Sequence, residues 1–347
     1  MSAAPLRVAS VGAGYFAQFQ IAAWHDLPGV ALAGLCDTDT ARAAQTLERI
    51  VGPGHEVPVH ARAEELFAAG AEIIDIATPP ATHAALIAAA IAARPRLIVC
   101  QKPFCGTQEA ALAATEAAEA AGVPLVVHEN VRFQPWYRRI KAELAAGRIG
   151  EVFQLTMRLR PGDGQGAQAY LDRQPYFRDM ERFLVHETGI HWIDTFRYLL
   201  GEPRSVFADL RRTNSGIAGE DAGMLLFRFD GAARAIFDAN RSADHAADNR
   251  RHTMGEFTAE GAAGTLALDG YGRLTVRAFG ANEVELLDAW APDGFGAGCV
   301  RAFQQHVLDG LTTGAGFETG ARDYLRNLAI EEQVYASADA GRVVALG

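Results

Sequence analysis

Lys102 is the first residue of this chain that suggests chemistry. Only two of the 32 basic side chains are lysines, and Lys102 lies at the end of the apolar run 97–100. Arginine supplies the positive charge almost everywhere else, and a guanidinium cannot lose its proton, so a lysine here suggests a compact ammonium that can. Open α/β sheets bind ligands at the carboxyl ends of parallel strands, which makes Lys102 a catalytic candidate. Lys141, the other lysine, lies on a predicted surface helix and is expected to be a solvated charge.

A carboxylate and an imidazole form the second candidate group. Glu187 and His191 are four residues apart in a helix predicted over residues 184–200, so they share one face of it. Its core-facing apolar stripe consists of Ile190, Ile193, Phe196, Leu199 and Leu200. Histidine has an unperturbed pKa of about 6.5, which suits proton transfer around neutral pH. Taken alone, however, such a pair is more typical of a solvated helix face than of a catalytic site.

The third pattern is a glycine-rich turn between the first predicted strand and the first predicted helix. Gly12-Ala13-Gly14-Tyr15-Phe16-Ala17 is a G-x-G-x-x-A sequence. Gly12 permits the tight turn, Gly14 lets the backbone approach a pyrophosphate, and Ala17 lets the helix pack closely on the strand. The helix N-terminus adds free N–H groups and a positive dipole end, so the turn predicts a nucleotide-binding site.

The ends of two further strands complete the predicted cofactor site. Asp37 ends the second strand, 20 residues after Ala17, where a carboxylate can accept both hydroxyls of an adenosine ribose. Its charge would repel a 2′-phosphate, which favours NAD over NADP, although Arg42 keeps NADP as the less favoured alternative. Thr78-Pro79 ends another strand, and His83 falls in the first turn of the next helix, where a cofactor contact and simple solvation fit the sequence equally well.

Short apolar runs alternate with alanine-rich helical stretches from residue 6 to about 129. The predicted strands are 6–11, 30–37, 72–78, 96–100 and 124–129, and the predicted helices are 15–27, 40–51, 63–69, 81–93 and 107–121. Continuous apolar runs of this length are typical of strands covered on both faces. Right-handed crossovers between them predict a doubly wound parallel sheet.

The composition restricts the class of protein. A chain of 347 residues with 49% hydrophobic and 21% charged side chains predicts about two globular domains. A net charge of −10 without a basic stripe argues against a nucleic-acid partner. No stretch approaches the roughly 20 apolar residues of a membrane span, and residues 1–5 lack the features of a signal peptide, so no membrane association and a cytoplasmic location are expected. The four cysteines lack zinc-site spacing, and His245 and His252 are expected to be solvated, so no metal is expected.

Six motifs, in order along the chain, resemble the Gfo/Idh/MocA oxidoreductases, the group of glucose–fructose oxidoreductase and inositol dehydrogenase. They are GAGYFA, CD, TPPATH, CQKPF, HENVRFQPWY and HETGIHWIDTFRYLLG. The resemblance implies an N-terminal Rossmann domain, residues 1–128, and a C-terminal α/β domain, residues 129–347, with a large open, mostly antiparallel sheet. It also implies a homodimer or homotetramer that associates through the back of that sheet. The second half independently contains strand-like runs at 151–160, 205–212, 222–229, 233–240, 254–260 and 265–268.

The same resemblance implies roles for individual residues. It places Lys102, Glu187 and His191 around the reacting carbon, with Lys102 orienting the substrate hydroxyl and His191 as general acid and base. Glu187 would orient the imidazole and stabilise its cation. The predicted cofactor contacts are Gly12, Gly14, Tyr15, Phe16, Ala17, Asp37, Thr78, Pro79, His83, Gln101 and Lys102. The predicted substrate contacts are Lys102, Asn130, Arg132, Tyr176, Glu187 and His191.

Three of the substrate contacts rest on two separate arguments. Asn130 and Arg132 match an Asn-x-Arg-Phe pattern of the family, and Arg132 either donates to a sugar hydroxyl or carboxylate or pairs internally at the domain junction. Residues 161–183 are rich in glycine and then in aromatic and arginine side chains, and loops of this length are usually functional or disordered. We expect this loop to cover a carbohydrate-like substrate and Tyr176 to contact it.

Three residues depart from the pattern of the family. Gln101 stands where Glu is usual, Pro80 where Asn is usual, and Glu187 where Asp is usual. The sequence nevertheless predicts an NAD-dependent dehydrogenase that oxidises a secondary alcohol of a sugar, cyclitol or sugar acid. Two alternatives stay open: a glycosidase that uses NAD transiently, and a non-catalytic NAD-sensing regulator, against which the retention of Lys102 with His191 argues.

Overall fold

The computed structural model describes residues 4–291 and 294–347. Residues 1–3 of the segment 1–5, which was considered above for the features of a signal peptide, lie outside the described residues. Within the described ranges, no helix is both long and apolar enough to cross a membrane. The chain divides into two units, which we call unit 1 (Met1–Asn130 and Val300–Arg326) and unit 2 (Val131–Cys299 and Asn327–Gly347). The predicted break after residue 128 lies close to the first of these boundaries. The sequence did not predict that Val300–Arg326 returns to unit 1.

Unit 1 contains a six-stranded parallel sheet. Its strands are β1 (Leu6–Val11), β2 (Val30–Cys36), β3 (Val59–His60), β4 (Ile73–Ile76), β5 (Leu97–Gln101) and β6 (Leu125–His128). The spatial order is β3-β2-β1-β4-β5-β6, which confirms the doubly wound topology and places the reversal of strand order between β1 and β4. Ligands of such sheets bind at the carboxyl ends of the strands beside this reversal. The two-residue strand β3 follows Pro58 and is too short to be recognised as an apolar run.

Five helices connect these strands. They are α1 (Ala17–Asp26), α2 (Thr40–Val51), α3 (Ala63–Ala68), α4 (His83–Ala92) and α5 (Gln108–Ala121). Side-chain caps start two of them, because Asp39 accepts from the Arg42 N–H at 3.0 Å and Thr107 from the Ala110 N–H at 3.1 Å. The predicted helices are confirmed to within a few residues at each end.

Two later helices supply the rest of unit 1. Helix α8 (Cys299–Thr313) and the start of α9 (Ala321–Ala340) belong to it, apart from Cys299. Between them, Thr319 exchanges backbone and side-chain hydrogen bonds with Val127 of β6: the Val127 N–H donates to the Thr319 carbonyl at 2.9 Å, and Thr319 Oγ1 donates back to the Val127 carbonyl at 2.8 Å. Gly320 also forms an antiparallel bridge with Val126. These bonds cover the edge of β6, which explains why a distant segment belongs to this unit.

Unit 2 is built on a nine-stranded sheet. Its strands are β7 (Val152–Leu159), β8 (Ser205–Arg211), β9 (Ala222–Arg228), β10 (Arg234–Asn240), β11 (Gly255–Gly261), β12 (Gly264–Leu268), β13 (Arg273–Ala278), β14 (Glu285–Ala289) and β15 (Val344–Ala345). The order is β14-β13-β12-β11-β7-β10-β9-β8-β15, and only β7 and β10 pair in parallel. The predicted mostly antiparallel sheet is thereby confirmed, with three strands, β13 to β15, that the sequence did not reveal.

The sheet of unit 2 buries one face under helices. Alternate residues of its strands are buried, and α6 (Pro135–Ala145) and α7 (Ile190–Leu200) supply large aromatic partners. Trp192 stacks on Phe237 with ring centroids 5.4 Å apart, and its indole N–H donates to the Tyr137 hydroxyl at 3.1 Å. Burying each such side chain contributes about 1.5–3 kcal/mol, so these contacts fix α7 on the sheet.

The helix predicted over 184–200 is confirmed in its bounds, but it begins as a π-helix, Leu184–Gly189, and becomes an α-helix only at Ile190. Three other expectations for unit 2, all for polar side chains, are wrong. His245 and His252 are buried rather than solvated: His245 Nδ1 hydrogen-bonds the Arg160 carbonyl at 2.7 Å, and His252 packs on the Trp136 ring at 5.0 Å. Lys141 donates to the Leu199 carbonyl at 3.2 Å, so it caps the end of α7 instead of being simply solvated. Local polarity misled in each case because the deciding contacts come from distant residues.

Candidate active site

The glycine-rich turn lies at the carboxyl end of β1. Gly12 has a φ of +104°, and a Cβ there would lie 2.4 Å from the Ala77 carbonyl oxygen, so only glycine fits against the chain that leaves β4. Gly14 differs, because a Cβ there would meet no atom within 4 Å. The turn therefore has one glycine that the fold requires and one glycine that leaves exposed space.

Helix α1 begins directly after this turn. Phe16 occupies its N-cap position, and a phenyl ring cannot accept hydrogen bonds from the first backbone N–H groups. Tyr15 and Phe16 are half-buried, and both rings pack on Phe19, with centroids 5.7 and 5.6 Å apart. Ala17 is buried as the first helical residue. A helix start of this kind suits an anion such as a pyrophosphate.

Asp37 follows β2 and is held by three donors. Its Oδ2 accepts from the Ala13 N–H at 2.7 Å, and its Oδ1 accepts from the Asp39 N–H at 2.8 Å and from the Arg42 guanidinium at 2.6 Å. Burial opposes ionisation, but the bonds from Asp39, Arg42 and Ala13 outweigh it and lower the pKa of Asp37. Arg42, the residue for which the sequence kept NADP as the less favoured alternative, reaches this carboxylate from the first turn of α2.

The segment after β4 is tied together by its own hydroxyls. Thr78 Oγ1 and Thr82 Oγ1 share a hydrogen bond of 2.7 Å, and Thr82 Oγ1 also donates to the Pro79 carbonyl at 2.8 Å. His83 is fully buried, and its Nε2 hydrogen-bonds the Thr78 carbonyl at 2.8 Å. Burial lowers the pKa of His83, against the opposing effect of the Thr78 and Pro103 carbonyls. The imidazole is neither solvated nor exposed to a ligand, so we infer that His83 supports the turn rather than touching the cofactor.

Lys102 directly follows β5 and is half-buried. Its backbone N–H donates to Gln101 Oε1 at 2.6 Å, and Gln101 Nε2 donates to Gln20 Oε1 at 3.0 Å. Gln101 is buried, and both ends of its amide are bonded within unit 1. This placement differs from the predicted cofactor contact, because the side chain of this last strand residue points towards α1.

Glu187 lies in the π-helical turn that precedes α7. Glu220 anchors the start of this turn: its carboxylate accepts from the backbone N–H groups of Phe183 at 3.2 Å and Val185 at 3.1 Å, and from the Tyr335 hydroxyl at 2.7 Å. A π turn has more residues per turn than the 3.6 of an α-helix, so four residues that begin in the π segment span close to one full turn. Glu187 and the residue four positions later, His191, therefore lie nearly in line.

His191 is the second residue of α7 and is only 8% exposed. Its carbonyl accepts from Thr195 Oγ1 at 2.7 Å, and its ring packs edge to face against Trp192 at 6.3 Å. Helix α7 is buried on most sides, whereas the sequence predicted only one buried apolar stripe.

Arg132 is engaged inside unit 2. Its Nε and Nη2 donate to the two carboxylate oxygens of Asp194 at 2.7 and 2.6 Å, and both residues are buried. Asn327 Nδ2 donates to Asp194 Oδ1 at 2.8 Å, and Arg197 Nη1 donates to Asn327 Oδ1 at 2.7 Å. Of the two roles that the sequence left open for Arg132, this network favours internal pairing. Asn130, the other residue of the pattern, is almost fully buried within unit 1.

The segment over residues 161–183 is ordered by an aromatic cluster. Tyr170, Phe177 and Phe183 are buried together, and the Arg241 guanidinium lies 4.8 Å from the centre of the Phe183 ring. Tyr176 is 54% exposed, and its hydroxyl accepts from Gln174 Nε2 at 3.0 Å. Loss of solvent around the hydroxyl and the charge of Glu187 raise the pKa of Tyr176.

Sequence reasoning missed two buried carboxylates that hold elements of the candidate site. Asp75 lies in β4 and accepts from Gln20 and Trp24 of α1. A single acid within the apolar run Ile73-Ile74-Asp75-Ile76 was the available signal, because a buried charge needs specific partners. Glu220 had no signal of this kind, since it precedes a strand and its partners are distant backbone groups. In the described parts of the chain, no three His, Cys, Asp or Glu side chains cluster as metal ligands would.

Comparisons with known proteins extend over this whole architecture. The profile of the oxidoreductase family with an NAD-binding Rossmann fold matches residues 6–129, and that of the Gfo/Idh/MocA C-terminal domain matches residues 137–266. A D-apiose dehydrogenase of Rhizobium rhizogenes is 33% identical, over 100% of this chain and 99% of the relative. The chain belongs to the Gfo/Idh/MocA family of oxidoreductases. This result confirms the resemblance that the six motifs indicated. It also confirms that the protein is a dehydrogenase with an NAD-binding domain.

Two further family members support this assignment. A D-apiose dehydrogenase of Paraburkholderia graminis is 33% identical, over 97% of this chain and 89% of the relative. The crystal structure of an oxidoreductase from Agrobacterium radiobacter, in complex with NAD+, L-tartaric acid and magnesium, is 32% identical and superposes with a TM-score of 0.86, covering 99% of this chain and 98% of that one. The fold of this Gfo/Idh/MocA protein is therefore shared along its full length.

The residues of the turn fit an NAD molecule. The exposed space at Gly14 and the uncapped start of α1 suit its pyrophosphate. An ionised carboxylate offers about four acceptor positions, of which Ala13, Asp39 and Arg42 use three on Asp37, leaving one for a ribose hydroxyl. Gly12, Gly14 and Asp37 would thus hold the cofactor in this member of the family.

Gly14→Ala should weaken NAD binding without affecting folding. The new methyl group meets no protein atom, but it occupies the space that we assign to the pyrophosphate, so we expect at least a tenfold higher dissociation constant, or about 1.4 kcal/mol. Titration of protein fluorescence with NAD measures this, and thermal unfolding checks the fold. Gly316→Ala is the matched control, since a Cβ there also meets nothing within 4 Å. Unchanged NAD affinity in Gly14→Ala would contradict the assignment of this space.

Proposed function

We propose that this protein oxidises a secondary alcohol of a sugar, including the hydroxyl of a ring hemiacetal, with NAD as the acceptor. The observation that carries the proposal is the match of nearly the whole chain to two D-apiose dehydrogenases, which includes both the nucleotide-binding unit and the unit with His191. D-apiose and sugars of similar size are therefore the first substrates to test. L-tartaric acid, bound by the related oxidoreductase, adds a hydroxy acid to the candidates.

The proposed reaction assigns one task to each of three side chains. NAD, when bound, takes up the hydride from the substrate carbon. Lys102 donates a hydrogen bond to the substrate hydroxyl and stabilises the negative charge that develops on its oxygen. His191 accepts the hydroxyl proton, and Glu187 orients the imidazole and stabilises its cation. With the hydride taken up by the cofactor, the hydroxyl carbon becomes a carbonyl, and the proton leaves through His191.

The preference for NAD over NADP is part of the proposal. Asp37 keeps a negative charge at neutral pH, because hydrogen bonds from the Asp39 and Ala13 N–H groups and from Arg42 lower its pKa. A 2′-phosphate would have to approach this carboxylate and displace Arg42 from it. The ribose hydroxyls of NAD require neither change, so we expect the higher affinity for NAD.

The test is NADH fluorescence after the protein is mixed with NAD and a panel of compounds. The panel contains D-apiose, other pentoses, hexoses, inositols, sugar acids, L-tartaric acid and aryl glycosides, and each is repeated with NADP. NADH formation with a sugar supports the proposal and identifies the substrate class. Cleavage of aryl glycosides without net NADH would favour transient oxidation. Tight NAD binding with no turnover of any compound would favour the regulator and contradict the proposal.

Tyr176→Phe should raise KM for the true substrate. We infer that the half-exposed phenol of Tyr176 donates to a substrate hydroxyl, and one such bond contributes about 1 kcal/mol, or roughly a fivefold change in KM. Tyr176→Ala, which also removes the ring, should raise KM further. Tyr271→Phe is the control, because Tyr271 is exposed to a similar degree, 43%, on the turn before β13. A KM for Tyr176→Ala equal to that of the wild type would discard the substrate contact.

A further inference from the structure

A buried carboxyl group lies beneath the strand ends of the first sheet. Asp75, in β4, is only 1% exposed. Its Oδ1 accepts from Gln20 Nε2 at 2.8 Å, and its Oδ2 accepts from the Trp24 indole N–H at 2.7 Å. Neither the sequence motifs nor the proposed reaction gives this residue a role, although burying a carboxyl group in this position is unfavourable unless its partners are in place.

Asp75 is connected to Lys102 by two side-chain amides. Gln20, which donates to Asp75, accepts through Oε1 from Gln101 Nε2 at 3.0 Å. Gln101 in turn accepts through Oε1 from the backbone N–H of Lys102 at 2.6 Å. The Lys102 N–H can only donate, so the Gln101 oxygen must face it, and the orientation of both amides follows from this end of the chain. In each of these hydrogen bonds, the donor therefore lies on the Lys102 side and the acceptor on the Asp75 side.

Protonation of Asp75 conflicts with this orientation. A carboxyl O–H would be a further donor at a group that already receives two donors, and Gln20 could accept it only by turning its oxygen towards Asp75. The Gln20 amino group would then face Gln101, and Gln101 could accept from it only by turning its own amino group towards the Lys102 N–H. Two donors would then oppose each other at Lys102, so its backbone bond would be lost.

The surroundings let Asp75 titrate near neutral pH. Burial raises the pKa of Asp75 to about 7, against the opposing effect of the Trp24 and Gln20 bonds. On β5 the register partner of Asp75 is the uncharged Val99, and the next residue, Cys100, stays neutral because burial, Cys105 and Asp75 raise the pKa of its thiol well above its usual value. The register partner of Asp75 on β1 is the uncharged Ser10, and α8 contributes the uncharged Gln304, which donates to the Gln20 carbonyl at 3.0 Å.

We propose that Asp75 is a positioning residue for Lys102: through Gln20 and Gln101, the protonation state of this one buried carboxyl group sets the backbone hydrogen bond of the lysine that meets the substrate hydroxyl. The ionised form holds Lys102 in place and the protonated form releases it. The link from Asp75 to Lys102 stands on the geometry of unit 1, and only its relevance to turnover rests on the proposed function.

The scarcity of lysine gives a direct test. Protein labelled with ¹⁵N-lysine and ¹⁵N-tryptophan should show two lysine amide signals, from Lys102 and Lys141, and four tryptophan indole signals. The variant Lys141→Arg assigns the two lysine signals, because only that of Lys102 remains. The variant Trp24→Phe assigns the indole signal of Trp24. Between pH 5.5 and 8.5 we expect the Lys102 amide and the Trp24 indole to shift with one common midpoint, while the Lys141 amide stays constant. Lack of a shift at Lys102 or at Trp24 overturns the proposal.

Two variants separate this link from other titrations near Lys102. Gln20→Met keeps the length of the side chain but removes both bonds, so the Trp24 indole should still titrate and the Lys102 amide should not. Asp75→Asn should abolish both shifts and place Lys102 permanently in its low-pH state. A Lys102 shift that persists in Gln20→Met sinks the proposal even if Asp75→Asn fails to fold. These signals need no substrate, so they are independent of whether the proposed reaction is correct.

Turnover supplies the second readout. If the enzyme oxidises a sugar, kcat of the wild type should rise with pH through the midpoint seen at Trp24, whereas Asp75→Asn should lack this step, with KM little changed. A displacement of about 1 Å at a reacting group costs as much as roughly 10²-fold in rate, which sets the largest effect expected on kcat. A wild-type pH step in kcat retained by Asp75→Asn would show that another group is responsible.

Discussion

Lys102→Arg is expected to abolish most of the turnover while leaving NAD binding and folding intact. The substitution keeps the positive charge, but a guanidinium is planar, wider than an ammonium and unable to lose its proton. Lys102 is half-buried directly after β5, and a planar fork of five N–H groups does not reproduce the geometry of a single ammonium there. Removal of one group that stabilises or transfers charge in the transition state usually lowers the rate by roughly 10²–10⁴-fold.

The measurements for Lys102→Arg are kcat with the best sugar of the panel and the dissociation constant of NAD. Lys141→Arg is a matched control, because it makes the same change at the only other lysine, where a guanidinium can still donate to the Leu199 carbonyl. We expect the control to keep the kcat of the wild type. A Lys102→Arg variant with similar kcat would mean that a generic cation suffices at this position and that the chemical argument from the scarcity of lysine is wrong.

Asp194→Ala is expected to be the most destabilising single change in unit 2. Asp194 is buried in α7 and receives both arms of the Arg132 guanidinium and the amide of Asn327. Its removal leaves a buried cation without its counter-charge, and breaking a buried pair in this way costs about 3–5 kcal/mol. Urea unfolding measures the loss, and His191, three residues earlier on the same helix, should lose its fixed position together with catalysis.

Two comparisons make the Asp194 prediction specific. Asp230→Ala removes an equally bidentate partner, that of Arg204, but this pair is fully exposed and should matter little. The double variant Asp194→Leu with Arg132→Met removes both charges and should recover much of the lost stability, because a buried ion pair and an apolar pair of similar volume are often equivalent. A double variant no more stable than Asp194→Ala would indicate that shape, rather than the unpaired charge, dominates.

The sheet of unit 1 and its glycine turn could be predicted because their signals are local. Apolar runs define the strands, and Gly12 and Asp37 stand at strand ends where the topology brings them together. Arg42 shows the limit of such reasoning, since its contact with Asp37 depends on how α2 leaves the strand rather than on sequence proximity. The residues around Asp75 lie further still outside local patterns, because its partners come from α1 and β5.

The polar parts of unit 2 were harder to predict for a related reason. The π turn that carries Glu187 depends on Glu220, a residue beyond α7 whose carboxylate holds two backbone N–H groups at the start of the turn. The burial of His245 depends on the Arg160 carbonyl, 85 residues away in sequence. Composition and periodicity describe which residues prefer the interior, but they do not show which distant group satisfies a buried polar atom.

The return of Val300–Arg326 to unit 1 has a consequence for synthesis of the chain on the ribosome. When residue 130 emerges, β6 is complete, but Thr319 and Gly320, which cover its outer edge, have not yet been translated. Until these residues are synthesised, the edge strand β6 of the nascent nucleotide-binding unit stays uncovered, and an uncovered strand edge promotes association between chains. Premature termination or proteolysis that removes Thr319 and the residues after it would accordingly impair the cofactor unit as well as the substrate unit.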